Sequence, residues 1–117
     1  MAIGKGITEG ANDKGIFYAW AGGNGALRGD NSNLDGYANH YGVTAVCAVN
    51  DQGKRSAYSE EGANLWVCAP SNDSSRDRHG ITTTDNDDFY TNSFGGTSAA
   101  TPETRGVAAL VPPKLLV

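Results

Sequence analysis

An excess of basic charge is the first thing this chain lacks. Nine Lys and Arg stand against thirteen Asp and Glu, a formal net charge of −4. Without a basic stripe, a nucleic-acid partner is not expected. Long hydrophobic runs are missing too. The longest, such as Val43–Val49, fall far short of the ~20 residues a membrane-spanning helix needs, and the mean hydropathy is −0.43. Only two cysteines occur, too few for the framework that staples small secreted domains. Cys47 and Cys68 each lie in an apolar run, where the simplest reading is a pair of buried small hydrophobes. Neighbouring strands could also bring their Cα atoms within the ~7 Å a bridge requires, and the sequence leaves both readings open. The first ten residues hold no charged segment followed by an apolar one, so no signal peptide is expected in this chain. No internal repeat is present. At 117 residues the chain is a single domain's worth or less. Glycine is what it has in abundance: sixteen residues, roughly twice the usual share, set mostly in short turns.

Periodicity places the elements coarsely. Ile3, Ile7 and Ala11 form a weak helical stripe that runs out at Gly15. Residues 16–21, 43–49 and 65–69 are continuous apolar runs too short for helices, the pattern of strands buried on both faces. Residues 22–36 read as a polar, glycine-rich loop, and residues 71–79 as a solvated one. Residues 81–84 and 89–94 flank Asp85-Asn86-Asp87-Asp88, which predicts a β-hairpin with an acidic tip. Thr97 to Val111 is alanine-rich and helical in character, with Pro102 near its start and Pro112-Pro113 at its end. Buried strands with long connections indicate an α/β fold with a parallel sheet. Three such strands leave faces and edges uncovered that something else should cover, which favours association with another chain, a second copy among the candidates.

Gly95-Gly96-Thr97-Ser98-Ala99-Ala100-Thr101-Pro102 is the segment richest in chemistry. A serine in the first turn of a helix lies at its positive end, where free N–H groups can hold a developing oxyanion. The plainer reading is a helix cap made by Thr97 or Ser98. Asn24 between glycines is ordinary turn chemistry by itself, and lone acids such as Asp30 and Asp35 are usually solvated or capping. Two other motifs fail on spacing. Residues 31–42 begin like an EF-hand loop but place Gly42 where a Glu is needed, and Gly23-Asn24-Gly25 has its next glycine one residue too late for a dinucleotide fingerprint. Asn72-Asp73-Ser74 is a glycosylation sequon, meaningful only in a eukaryotic secretory pathway. Asp73, Asp77, Asp85, Asp87 and Asp88 read as a solvated acidic face.

Taken together, Gly-Thr-Ser-Ala-Ala-Thr-Pro resembles the nucleophile signature of the subtilisin-like serine proteases. Residues 21–25 (Ala-Gly-Gly-Asn-Gly) look like that family's oxyanion-asparagine loop. Residues 35–39 and 57–60 resemble its kexin and furin branch, the proprotein convertases and their bacterial relatives. The resemblance implies part of a doubly wound parallel subtilisin sheet, with residues 1–111 the C-terminal portion of a peptidase domain and 112–117 a tail. It implies Ser98 as nucleophile and Asn24, with the Ser98 N–H, as oxyanion donors. Asp35 would favour Arg or Lys at P1, and Asp30 and Glu60 would be carboxylate ligands of a structural Ca²⁺. The parent enzyme would be exported and would cut peptide or protein substrates after basic residues.

The resemblance also shows what is missing. A triad needs a base beside the serine and an acid orienting that base, and in the subtilisin order both precede the asparagine loop. Neither His40 nor His79 sits in the family's histidine motif, and the third calcium carboxylate belongs upstream as well. Glu103 and Thr104 stand where the family's central helix is apolar, and Ala26 replaces a common glycine. The chain alone is expected to be catalytically inactive. The alternative to a protease fragment is a non-catalytic peptide- or calcium-binding remnant.

Overall fold

The computed structural model describes residues 2–73 and 79–111. The order is α1 (Ala2–Asp13), β1 (Tyr18–Ala21), β2 (Val43–Val49), β3 (Leu65–Pro70), β4 (Ile81–Thr84), β5 (Tyr90–Phe94) and α2 (Thr97–Leu110), with 3-10 turns at Ala26–Arg28, Ser32–Leu34 and Asn86–Asp88. The proline pair expected to stop α2, Asp77, and the 112–117 tail lie outside the described residues. Among the described residues no helix is long and apolar enough to cross a membrane.

β1, β2 and β3 form a parallel sheet in that order, and β4 and β5 form an antiparallel hairpin. The architecture is α/β, as the apolar runs imply. α2 lies on one face of the sheet, where Ala100 meets Val46, Ala48 and Ala69, with Ala19 and Tyr58 packed alongside. Alanine at three of the four buried positions, Ala48, Ala69 and Ala100, lets the helix backbone come close to the strands. α1 is helical until Gly10, where the backbone turns extended (φ −71°, ψ 156°), so Ile3 and Ile7 share a helical face and Ala11 does not.

Only β2 is buried on both faces as its sequence suggests. β1 and β3 differ from that expectation: Trp20 is 39% exposed and Trp66 78%. Both are outer strands among the described residues, each with one edge unpaired, and continuous apolarity cannot distinguish an outer strand from an inner one.

The expectation for the cysteines is also corrected. Cys47 and Cys68 face each other across β2 and β3 with Cα atoms 4.3 Å apart and are joined as a disulfide. Cys47 is buried but Cys68 is exposed, so the pair is not two buried thiols. The bridge closes a loop of 21 residues between two strands that flank the helix contact.

Glu103 lies three and four residues beyond the buried Ala100 and Ala99, on the sheet-facing side of α2, and is half-buried. Burial raises its carboxyl above the usual carboxylate range. Thr104 avoids a similar cost by donating its hydroxyl to the Ala100 carbonyl at 3.2 Å.

Two outcomes are expected from this packing. Cys47→Ala with Cys68→Ala should lower unfolding stability by ~3 kcal/mol, read from urea melts of the oxidised chain against the double variant. A carboxyl raised in the folded state favours the protonated native form, so its cost is absent below the ordinary Glu range and grows as pH rises through the raised value. Glu103→Gln should therefore raise the melting temperature at pH 7, by less than about 1 kcal/mol of stability, and should match the wild-type chain near pH 3.

Candidate active site

The carboxyl ends of β1, β2 and β3 and the amino end of α2 meet at one edge of the sheet, the edge where ligands bind in open α/β folds. Gly96 makes the turn from β5 into α2 with φ +78° and ψ 174°, a conformation essentially closed to residues with a side chain. Its N–H donates to Asn72 Oδ1 at 3.0 Å, and its carbonyl accepts the Ser71 hydroxyl at 2.8 Å. Gly96 is itself the helix cap residue. Neither Thr97 nor Ser98 caps α2 through its side chain, so the plainer reading of the serine motif does not apply.

Thr97 is fully buried and bonds to the loop after β1 instead. Its N–H and its hydroxyl both donate to Asn24 Oδ1, at 2.9 and 3.0 Å, and its hydroxyl accepts from the Gly23 N–H at 3.3 Å. A backbone N–H can only donate, so the carbonyl end of the Asn24 amide must face Thr97. Its two Nδ2 hydrogens find no acceptor among the described residues and are left for another. Ser98 follows directly, exposed, its hydroxyl making no hydrogen bond to another described residue. Its N–H belongs to the first helical turn, whose donors have no intrahelical partner. A side-chain amide, a free backbone N–H and a hydroxyl are thus gathered at the positive end of a 14-residue helix.

A cleft of about 210 Å³ lies beside this edge, lined by Gly22, Gly23, Asp30, Leu34, Asp35 and Glu60 among others. Asp35 Oδ1 accepts the N–H groups of Tyr37 and Ala38, both at 2.8 Å, which uses one of its two oxygens. Tyr37 stacks on Trp20 with ring centroids 5.1 Å apart, tying the loop to β1.

Glu60 is buried, and its Oε1 accepts the Gly25 N–H at 2.8 Å. A Cβ on Gly25 would lie 2.9 Å from Glu60 Oε1 and 3.0 Å from Asp30 Oδ2, so both carboxylates crowd one backbone position. Hard oxygen donors on a loop, one of them buried without a cation among the described residues, fit the chemistry of Ca²⁺. The set is partial: no group of three His, Cys, Asp or Glu side chains that could hold a metal occurs among the described residues.

The two histidines are placed differently. His40 Nδ1 accepts the Gly42 N–H at 3.0 Å, and the ring stacks on Tyr41 just before β2 begins. That is the amino edge of a parallel sheet, a strand length or roughly 20 Å from the serine turn. His79 is exposed ahead of β4 and makes no hydrogen bond to Ser98. The sequence does not anticipate the contacts that Thr97, Ser71, Asn72 and Tyr58 make around the serine turn. Residues 71–73 were expected to be solvated, yet Ser71 is buried and the Asn72 side chain accepts Tyr58 O–H at 2.9 Å as well as Gly96 N–H. No local pattern marks these contacts, because the partners lie 13 to 74 residues away.

The chain matches known proteins over nearly its whole length. Residues 2–114 match the subtilase family, Peptidase S8. A calcium-dependent protease of Trichormus variabilis is 41% identical over 95% of this chain and 19% of its own length. The protease KEX1 of Kluyveromyces lactis is 42% identical over 94% of this chain and 14% of its own. The chain thus spans a fifth or less of the length of these curated relatives. Among solved structures, a serine protease of Aeromonas sobria superposes with a TM-score of 0.75 at 28% identity, over 89% of this chain and 25% of that one. The same A. sobria protease in complex with its chaperone gives 0.73. A protease of Pseudoalteromonas arctica gives 0.71 at 33% identity, over 85% of this chain and 31% of its own. By sequence and by the parallel sheet that sets Ser98 beside Asn24, this chain belongs to the subtilase family of subtilisin-like serine proteases.

Proposed function

We propose that this chain is the C-terminal portion, residues 1–111, of the catalytic domain of a kexin-like serine endopeptidase, with residues 112–117 a tail. The observation that carries the reading is the Thr97–Asn24 contact, which holds the Asn24 carbonyl and leaves its Nδ2 hydrogens beside Ser98. Ser98 Oγ attacks the scissile carbonyl of a peptide or protein substrate. Charge moves onto the carbonyl oxygen, and Asn24 Nδ2 and the Ser98 N–H donate to it. The attacking hydroxyl must lose its proton to a base, and no base reaches Ser98 among the described residues. That base and its orienting acid come from a complementary N-terminal portion, so the chain alone turns over no substrate.

Asp35 selects a basic P1 side chain. Its second oxygen has no partner among the described residues and borders the cleft beside the serine turn. An Arg or Lys side chain there would neutralise a carboxylate that no described residue neutralises. Asp30 and Glu60 contribute two ligands to a structural Ca²⁺ that supports the wall of the same cleft, in keeping with the calcium-dependent relative. The Cys47–Cys68 disulfide suits a parent that is exported, secreted or periplasmic, since such bridges persist in oxidising compartments. The competing reading is a binding remnant that holds basic peptide or Ca²⁺ without chemistry.

Treating the purified, folded chain with a fluorophosphonate should give no adduct by mass spectrometry. Refolding it with the N-terminal half of the T. variabilis relative's catalytic domain should give stoichiometric labelling of Ser98, abolished in Ser98→Ala. Asn24→Ala should slow that labelling by ~10²–10³, the magnitude known for the equivalent asparagine of subtilisin. Labelling of the isolated chain would mean that a base is already in place, and none in the refolded pair would favour the binding remnant. Ca²⁺ should raise the melting temperature of the chain with a half-effect near ~1 mM, the range of incomplete extracellular sites. Glu60→Gln should abolish that rise, measured by calorimetry against Mg²⁺ at equal ionic strength.

A further inference from the structure

We propose that Asn72 is a positioning residue for the nucleophile turn, holding Gly96 so that Thr97, Asn24 and Ser98 come into register. The inference rests on the reading of Ser98 and Asn24 given above, and it adds a group that touches neither substrate nor reacting atoms. Gly96 adopts a backbone conformation open only to glycine, and because glycine can reach many others, outside contacts must select this one. Two consecutive residues at the end of β3 enforce it here. Asn72 takes the Gly96 N–H and Ser71 supplies a donor to the Gly96 carbonyl, so both polar groups of this residue are held from one side.

Asn72 is itself fixed. Its side-chain oxygen lies 2.9 Å from the Tyr58 hydroxyl, and its backbone carbonyl accepts the Ser56 hydroxyl at 2.7 Å. Ser56 is fully buried, its N–H bonded to Ala48 at the end of β2. The anchor of the turn therefore runs back to the central strand and its contact with α2. The amide also occupies space: a Cβ on Gly95 would overlap Asn72 Oδ1, Cγ and Nδ2. A side chain on residue 95 and the Asn72 amide exclude each other, which ties the Gly95-Gly96 pair to Asn72. From Gly96 the constraint passes along one peptide to Thr97, whose two donors set the Asn24 amide.

The test uses the full chain, ¹⁵N-labelled, with Asn72→Leu, which removes the acceptor, and Asn72→Asp, which keeps it. In Asn72→Leu, Gly96 N–H exchange should accelerate about tenfold or more. The Thr97 amide and the Asn24 side-chain NH₂ signals should shift or broaden, although Asn72 touches neither. Asn72→Asp should restore all three. A Leu variant in which only Gly96 responds would reduce Asn72 to a local contact and overturn the proposal, as would an Asp variant that restores nothing. Should Asn72→Leu fail to fold, Gly95→Ala presses on the same amide from the other side. It must disturb the Asn24 NH₂ signals, and unchanged signals there would also overturn the proposal. Fluorophosphonate labelling of the refolded pair reports on Ser98 independently: wild-type chain that is not labelled refutes the protease reading and leaves the Asn72 signals to be judged by themselves.

Discussion

Where Ala100 packs among Val46, Ala48 and Ala69, α2 lies against the parallel sheet, and the placement of the serine turn follows from that contact. The helix can approach only because Ala48, Ala69 and Ala100 are small. A larger residue at any of them would push the helix outward and carry its first turn away from the loop after β1. Thr97, the first residue of α2, can then reach Asn24 with two donors at once. Burial at the core and geometry at the edge are one constraint, set by side-chain volume.

Around that edge, polar groups of the chain hold one another until a few are left over. Gly96 is satisfied by Ser71 and Asn72, and Thr97 by Asn24 and Gly23. Among the described residues, what remains is the outward-facing set: Asn24 Nδ2, the Ser98 N–H and hydroxyl, and the second oxygen of Asp35. Each has the chemistry to meet something that is not this chain, be it a developing oxyanion, a scissile carbonyl or a basic side chain. Glu60 shows the same incompleteness. Buried with one N–H on it and crowded by Asp30, it calls for positive charge that the described residues do not supply. Two outer strands with unpaired edges fit a chain that covers a fifth or less of its relatives' length.

Much of this was legible along the chain because the signals are local. The central strand at Val43–Val49, the acidic-tipped hairpin and the helix from Thr97 all follow from runs and breakers a few residues long. The residues singled out for chemistry do come together: Asn24 and Ser98 at one edge, Asp30, Asp35 and Glu60 around the adjoining cleft. Three things were not legible. The apolar runs at Tyr18–Ala21 and Leu65–Pro70 look buried, but exposure depends on how many strands flank them. The bridge between Cys47 and Cys68 depends on strand register. Residues 71–73 look like solvated loop because every residue in them is polar.

The sequence by itself determined the family and the type of each principal element, since a serine motif after two glycines and an apolar run are read without knowing what lies across from them. Only the tertiary structure decided which polar side chains are spent inside the fold and which face out. That choice is made by contacts between positions far apart, Asn24 with Thr97 and Asn72 with Gly96, and a hydrogen bond across 73 or 24 residues leaves no trace in local spacing.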